Sequence, residues 1–211
     1  MRVLFIDTCL AACQVGLFEG ARLVAGASEA MARGQQERLA PMAAEVMAQA
    51  RAAFADLDRI AVTRGPGSFT GLRVGLAFAK GLQLATGAPL AGIGTLAALA
   101  ASDGQDGLRA GVIDARRGQV YWQPFDHDRA LAPPVAARVE DAARELRALA
   151  PSGWRLAGPG AGLLQAAGLG EVVEIAAPSL AALGRLAQSA EVSDDLRPLY
   201  LRAPDAWPTT P

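Results

Sequence analysis

The sequence predicts an α/β protein made of two similar halves, each a mixed β-sheet flanked by helices. Residues 4–18 and 110–125 both follow the pattern of a strand ending in Ile-Asp, a short turn and a second strand. Each half later places Gly-Pro-Gly directly after a short apolar strand, at residues 65–67 and at residues 158–160. Two such matches in the same order predict a duplicated unit in which strands and helices alternate.

Local patterns predict the elements of the first half. Apolar runs indicate strands, and apolar residues at helical spacing indicate helices. Thr95 is the expected N-cap of the third helix. The predicted strands span residues 2–7, 13–18, 21–29, 59–63 and 89–93, and the predicted helices span residues 36–54, 69–85 and 95–101.

A polar, glycine-containing segment at residues 102–108 separates the two halves. We predict an N-terminal domain over residues 1–102 and a smaller C-terminal domain with fewer helices over residues 109–202. The proline-rich residues 203–211 are expected to form a flexible tail. Duplicated units of this shape are typical of actin-like and hexokinase-like folds.

Composition and charge narrow the classes of function. Hydrophobic residues make up 52% of the chain and charged residues 19%, which is typical of a globular protein. No apolar run reaches the roughly 18 residues that a membrane span needs, so we expect a cytoplasmic protein that does not engage the membrane. The net charge of −1 gives no basic excess for holding nucleic acid without help.

Few residues are available for metal binding or for acid–base catalysis. Cys9 and Cys13 are the only cysteines and His127 is the only histidine. Buried thiols and a surface histidine are favoured over a zinc site, and a Ser-His-Asp triad would have to use His127. We therefore predict neither a catalytic residue nor a metal site in this chain.

The segment RGPGSFTGLRVG at residues 64–75 is the most informative motif. Gly65 and Gly67 permit a tight turn, and Ser68 or Thr70 can cap the following helix. Free amides at that helix start would form an anion site. Such a site would lie close to Asp7 and Thr8, but a tight capped turn without a ligand explains the same pattern.

The chain resembles the TsaB/YeaZ family along nearly its whole length. The resemblance is carried by IDT at residues 6–8, QERLAPM at 36–42, RGPGSFTGLRVG at 64–75, IDARRGQVYW at 113–122 and PLYLR at 198–202. It implies an actin-like (ASKHA, RNase H-like) fold and a non-catalytic subunit that scaffolds and activates its paralogue TsaD. With TsaD and the ATPase TsaE, such proteins serve threonylcarbamoyl transfer to the adenosine beside the anticodon of tRNAs reading A-starting codons.

The resemblance also implies cofactors and partners. ATP and metal are expected on TsaD and TsaE, with no cofactor held by this chain alone. The chain is expected to form a homodimer when isolated and to meet tRNA only through the complex. One departure is Gln35, which stands where the family commonly has a histidine at the start of the first long helix.

Two enzyme classes remain as alternatives, an actin-like ATP-binding kinase and a glycopeptidase-like metalloprotease. The kinase needs Asp7 and Asp114 beside glycine-rich phosphate-binding turns, but the turn at residues 8–12 contains no glycine. The metalloprotease needs a pair of histidines at helical spacing, and the sequence has one histidine. Both alternatives are therefore disfavoured.

The second predicted helix is apolar almost all round, as expected for a helix covered on both sides. Burial inside the monomer explains this pattern as well as a partner does, and the family resemblance favours the partner, with Leu76 at the centre of its surface. The predicted interface residues are Leu39, Met42 and Val46 of the first helix and Leu72, Arg73, Leu76 and Lys80 of the second.

Overall fold

A computed structural model describes residues 1–202, so the predicted tail at 203–211 lies outside the described residues. The first half forms a five-stranded sheet in the order β3-β2-β1-β4-β5, in which β1 is antiparallel to β2 and parallel to β4. Its elements are β1 (Arg2–Asp7), β2 (Ala12–Glu19), β3 (Arg22–Ala30), α1 (Gln35–Gln49), a 3-10 turn (Phe54–Asp56), β4 (Arg59–Gly65), α2 (Phe69–Thr86), β5 (Leu90–Gly94) and α3 (Thr95–Ser102).

The second half repeats the order of the first. Its sheet runs β11-β10-β6-β7-β8, with β9 also paired to β7, and β6 has an antiparallel neighbour on one side and a parallel one on the other, as β1 does. Its elements are β6 (Leu108–Arg116), β7 (Gln119–Asp126), β8 (Arg129–Ala130), β9 (Val135–Arg138), α4 (Val139–Leu149), β10 (Arg155–Ala157), α5 (Ala161–Ala166), β11 (Glu171–Val173) and α6 (Leu180–Ser189).

The predicted fold class, a duplicated α/β architecture with two mixed sheets flanked by helices, is confirmed. The expectation that the second half has fewer helices is wrong, because within residues 1–202 each half contains three α-helices. Those of the second half are shorter than α1 and α2; α5 has six residues and is followed by Gly168 in the left-handed conformation. A helix of six residues is shorter than the window over which helical periodicity can be recognised.

Strand β1 is buried on both faces, which explains its continuous apolar sequence. Leu4 and Ile6 contact the cluster that contains the inner residues of α1 and α2, whereas Val3 and Phe5 contact the cluster that contains Leu183 of α6. Side chains alternate between the two faces of a strand, so a strand covered on both sides needs apolar residues at every position.

The end of the described chain returns to the first sheet. The amide of Ser193 donates to the Leu90 carbonyl at 2.9 Å, and the amide of Leu199 donates to the Arg64 carbonyl at 2.7 Å. Helix α6 also packs on this sheet. The predicted border at residues 102–108 coincides with the loop after α3, but α6 and the segment that follows it share the core of the first half. The division into domains at that border stays a prediction.

Two helix ends differ from the predicted ones. Helix α1 stops at Gln49 rather than at Phe54, because Arg51 adopts a left-handed conformation (φ 52°) and Ala52 N–H bonds the Met47 carbonyl, which closes the helix. Thr95 is the first residue of α3 and not its side-chain cap; the N-cap residue is Gly94.

Candidate functional site

The carboxyl end of β1 holds a buried hydrogen-bonded cluster of Asp7, Cys9 and Thr63. Asp7 Oδ1 accepts from the Cys9 amide at 2.9 Å and from the Thr63 hydroxyl at 2.5 Å. The Cys9 thiol lies 2.9 Å from Thr63 Oγ1. All three side chains are at most 1% exposed, and Asp7 Oδ2 has no hydrogen-bond partner among the described residues. The Asp7 side chain is therefore inaccessible from the surface, and its hydrogen bonds are made to Cys9 and Thr63.

Burial raises the pKa of Asp7, and the hydrogen bonds from Thr63 and Cys9 oppose that shift only in part. Because the folded pKa is raised, folding favours the protonated carboxyl, and stability falls as the pH rises above the ordinary value through the folded pKa. Asp7→Asn, which imitates the protonated carboxyl, should therefore gain stability relative to the wild type as the pH rises from 4 to 8. Urea unfolding of both proteins across this range measures the difference, and a constant difference would contradict the expectation.

The start of α2 contacts the turn between β1 and β2. Ser68 Oγ caps the helix by accepting from Gly71 N–H at 3.2 Å, as predicted, while Ser68 N–H donates to the Cys9 carbonyl at 2.7 Å. The Thr8 hydroxyl donates to the Gly71 carbonyl at 2.7 Å. A Cβ atom on Gly67 would overlap the Cys9 carbonyl oxygen. The β1–β2 turn thus occupies the Ser68 amide, the first one that an anion at this helix start could use.

These contacts favour the capped turn over an anion site at this loop, and the anion site stays a prediction. Asp7 and Thr8 are buried, and the Ser68 amide already has a carbonyl partner, so the capped turn is the interpretation that the structure favours. Thr70 is exposed on the first turn of α2. Gly65 adopts φ 111°, and a Cβ atom there would lie 2.8 Å from the Leu199 carbonyl oxygen.

The second half repeats the same local geometry. Asp114 Oδ1 accepts from the Arg116 amide at 2.7 Å, two residues on, as Asp7 accepts from Cys9. Gly158 adopts φ 120°, and Gly160 N–H bonds the Val112 carbonyl at 3.1 Å. Asp114 differs from Asp7 in being only half-buried. The two Ile-Asp ends are therefore structurally equivalent, and the first glycines of the two Gly-Pro-Gly turns share a left-handed φ.

A cleft of about 550 Å³ lies between these two turns. One wall is the turn at residues 9–11 with Gly67 and Ser68, and the other is residues 113–116 with Tyr121. Asp114, Arg116 and Arg202 carry the charges of its lining, whereas Asp7 does not line it. Among the described residues that line the cleft, Asp114 is the one acid. Within residues 1–202, no three His, Cys, Asp or Glu side chains gather where they could hold a metal ion.

The comparisons with known proteins agree with the resemblance. The family model "TsaD: tRNA N6-adenosine threonylcarbamoyltransferase" matches residues 28–154. The Escherichia coli tRNA threonylcarbamoyladenosine biosynthesis protein TsaB is 36% identical over 132 residues, which are 61% of this chain and 56% of that protein. The match therefore spans little more than half the length of that relative. An uncharacterized protein of Mycobacterium tuberculosis is 37% identical over 98% of this chain and 94% of its own.

Solved structures resemble the chain over nearly its whole length. YeaZ from Pseudomonas aeruginosa superposes with a TM-score of 0.80 at 27% identity, covering 95% of this chain and 99% of its own. The chain belongs to the TsaB/YeaZ family. A ROK hexokinase from Thermus thermophilus superposes with a TM-score of 0.51 at 16% identity, covering 90% of this chain and 98% of its own, which shows the shared fold alone.

The interface predicted for this TsaB/YeaZ-family chain needs correction. Five of the seven residues are at most 4% exposed inside the monomer and are not available to a partner: Leu39, Met42, Val46, Leu72 and Leu76. All except Leu72 belong to the core cluster that the first sheet forms with α1 and α2. Arg73 and Lys80 are exposed, and they stay in the predicted interface.

The exposed side of α2 carries apolar residues that the prediction missed. Leu84 is 88% exposed and Phe69 is 45% exposed. Arg73 lies over the Phe69 ring at 3.7 Å from its centroid, and the Tyr200 ring lies 5.4 Å from that of Phe69. The all-round apolar pattern of α2 could have indicated Phe69 and Leu84. No local signal links Tyr200 to a helix more than 100 residues earlier in the chain.

Gln35, the departure from the usual family histidine, has a local structural role. It is the first residue of α1 and is 8% exposed. Its side-chain amide donates to the Met31 carbonyl at 3.1 Å. The side chain thereby ties the start of α1 to the residue that follows β3.

No helix among residues 1–202 is long and apolar enough to span a bilayer.

Proposed function

We propose that this chain is a non-catalytic cytoplasmic subunit that pairs with a TsaD-type paralogue and activates it. With TsaD and the ATPase TsaE, it would serve threonylcarbamoyl transfer to the adenosine beside the anticodon of tRNAs reading A-starting codons. Membership of the TsaB/YeaZ family supports a role in this modification of tRNA. The non-catalytic role is inferred from the start of α2. There the Cys9 carbonyl accepts a hydrogen bond from the Ser68 amide, so this amide is not available to a phosphate. ATP and metal are then supplied by the partner proteins.

The exposed face of α2 is the proposed partner surface. It carries Phe69, Ala77 and Leu84 as apolar positions, with Arg73 and Lys80 beside them. An exposed apolar stripe edged by cations is typical of a protein–protein interface, in which a few buried anchors supply most of the binding energy. The same stripe would pair two copies of the isolated chain.

Leu84→Glu should weaken TsaD binding more than about tenfold, because it places a charge at an apolar position that the proposed interface would desolvate. The melting temperature should stay near that of the wild type, because Leu84 is 88% exposed in the monomer. Pull-down with TsaD, together with a thermal melt, measures both effects. Leu163→Glu on α5, where the leucine is 38% exposed, is the matched control and should bind TsaD normally.

The reconstituted modification reaction tests the function as a whole. TsaD and TsaE should require this chain to form threonylcarbamoyladenosine on tRNA, and Leu84→Glu should fail to support the reaction. The chain alone should not hydrolyse ATP. Turnover of Mg-ATP by the isolated chain would contradict the non-catalytic assignment, and full activity with Leu84→Glu would place the partner surface elsewhere.

A further inference from the structure

The last four described residues, 199–202, pass from one half of the protein to the other, and we call them the strap. At the start of the strap, the Leu199 amide donates to the Arg64 carbonyl of β4 at 2.7 Å. At its end, the Arg202 guanidinium donates to the Ala115 carbonyl of β6 at 3.1 Å. Because the backbone of four residues spans at most about 14 Å, the strap leaves little slack between β4 and the β6–β7 hairpin.

The strap makes further contacts at its middle and at its end. The Tyr200 ring lies 5.4 Å from the Phe69 ring at the start of α2, and its hydroxyl accepts from Arg73 Nε at 3.4 Å. Arg202 also donates to Gln119 Oε1 of β7 at 3.0 Å. The strap is therefore attached to β4 and α2 of the first half and to both strands of the β6–β7 hairpin of the second half.

The strap lies beside the cleft between the two halves. Arg202 lines this cleft, as do Ser68 on the side of the first half and Ala115 on the side of the second. Widening the cleft would move the β6–β7 hairpin away from β4. Since the strap bonds to both, one of its ends must detach before the cleft can widen.

The buried apolar cluster that the two halves share is small. Within residues 1–202 it consists of Leu96 and Leu99 of α3 with Ile113 of β6, three buried residues, whereas the core cluster of the second half has twelve. Units joined through a small apolar interface are expected to move relative to one another. Additional attachments between the halves, such as the strap, therefore have a large effect on their arrangement.

We propose that the strap locks the two halves together across the cleft and holds the cleft at one width. Arg202 fastens the strap to the second half through a charged donor, and hydrogen bonds from charged donors are stronger than those from neutral ones. Tyr200 keeps the strap against the start of α2. The lock acts within the single chain, so it does not depend on the proposed function.

Hydrogen–deuterium exchange of the full chain, followed by mass spectrometry, tests the lock. Arg202→Ala removes the guanidinium that bonds to the second half. Amide exchange should therefore rise about threefold or more on both walls of the cleft, at residues 8–11 and 66–69 as well as at residues 113–121. A rise confined to residues 113–121 would mean that Arg202 supports only its own hairpin, and it would overturn the proposal.

Arg197→Ala is the matched control, because Arg197 is an exposed arginine of the same C-terminal segment and pairs with Asp195. It removes the same charge outside the strap, so exchange on the cleft walls should change less than about 1.5-fold. An equal rise in Arg197→Ala and Arg202→Ala would assign the effect to lost charge and would overturn the lock.

Pulsed electron paramagnetic resonance measures the arrangement of the two halves directly. Ala48→Cys on α1 and Glu145→Cys on α4 provide exposed sites for spin labels, whereas the two native cysteines are buried. The labelled chain is diluted with unlabelled protein so that distances within one chain dominate. Arg202→Ala should broaden the distance distribution or shift it by several ångströms, and Arg197→Ala should leave it unchanged. An unchanged distribution in Arg202→Ala, with native circular dichroism, would overturn the lock and leave the proposed function intact.

Discussion

Leu76→Glu is expected to destabilise the folded monomer severely. Leu76 is 4% exposed and packs against the core of the first sheet together with Leu4, Ile6 and Met42. The substitution loses about 2 kcal/mol of apolar burial and places an unpaired carboxylate in the core, which adds several kcal/mol. Proteins of this size have only about 5–15 kcal/mol of stability, so a fall in melting temperature of about 10–20 °C is expected.

Leu84→Glu on the same helix is the matched control for this effect. The chemical change is identical, but the side chain is 88% exposed, so the melting temperature should change by no more than about 2 °C. Thermal melts followed by circular dichroism compare the two proteins directly. Near-native melting of Leu76→Glu would contradict the burial of this face of α2 and restore Leu76 to the partner surface.

Leu76 is buried and Leu84 is exposed, although both are leucines of α2. The sequence predicted this helix but not which of its sides faces the core. Helical periodicity identifies the side of a helix that faces the core when the other side is polar. Helix α2 is apolar almost all round, so periodicity predicted the helix within one residue at its end but not its orientation. The sheet decides that orientation, since Ile6 and Val62 offer an apolar surface to Leu76.

The strands of the first half were predictable because their signals are local. Strand β1 coincides with the predicted residues 2–7, and β2 extends one residue beyond the predicted strand at each end. The fold class followed from repeated Ile-Asp and Gly-Pro-Gly segments, of which the Ile-Asp ends are structurally equivalent. These features depend on neighbouring residues, which the sequence presents together.

Contacts between distant segments were not predictable in the same way. The bonds from Ser193 to Leu90 and from Leu199 to Arg64 join residues about 100 or more positions apart, and no periodic pattern encodes them. The pocket that Arg117, Arg138 and Arg202 line likewise combines three separate segments of the chain.

Gly71→Ala is expected to be nearly as damaging as Leu76→Glu, although alanine is the better helix former. A Cβ atom on Gly71 would overlap the carbonyl oxygen of Thr8, which belongs to the backbone and has no rotamer by which to move away. The helix or the β1–β2 turn must shift, and the 2.7 Å bond from the Thr8 hydroxyl to the Gly71 carbonyl would be disturbed. Overpacking of this kind costs about 3 kcal/mol, or about 6–12 °C in melting temperature.

Gly81→Ala on the same helix isolates the steric effect from helix propensity. A Cβ atom on Gly81 has no neighbour within 4 Å, so this variant should gain about 0.5–1 kcal/mol from the higher helix propensity of alanine. Urea unfolding of the two variants should therefore shift the midpoint in opposite directions from the wild type. If both substitutions stabilise the protein, the β1–β2 turn can move away from α2 at little cost. The close contact between Gly71 and the Thr8 carbonyl oxygen would then be disproved.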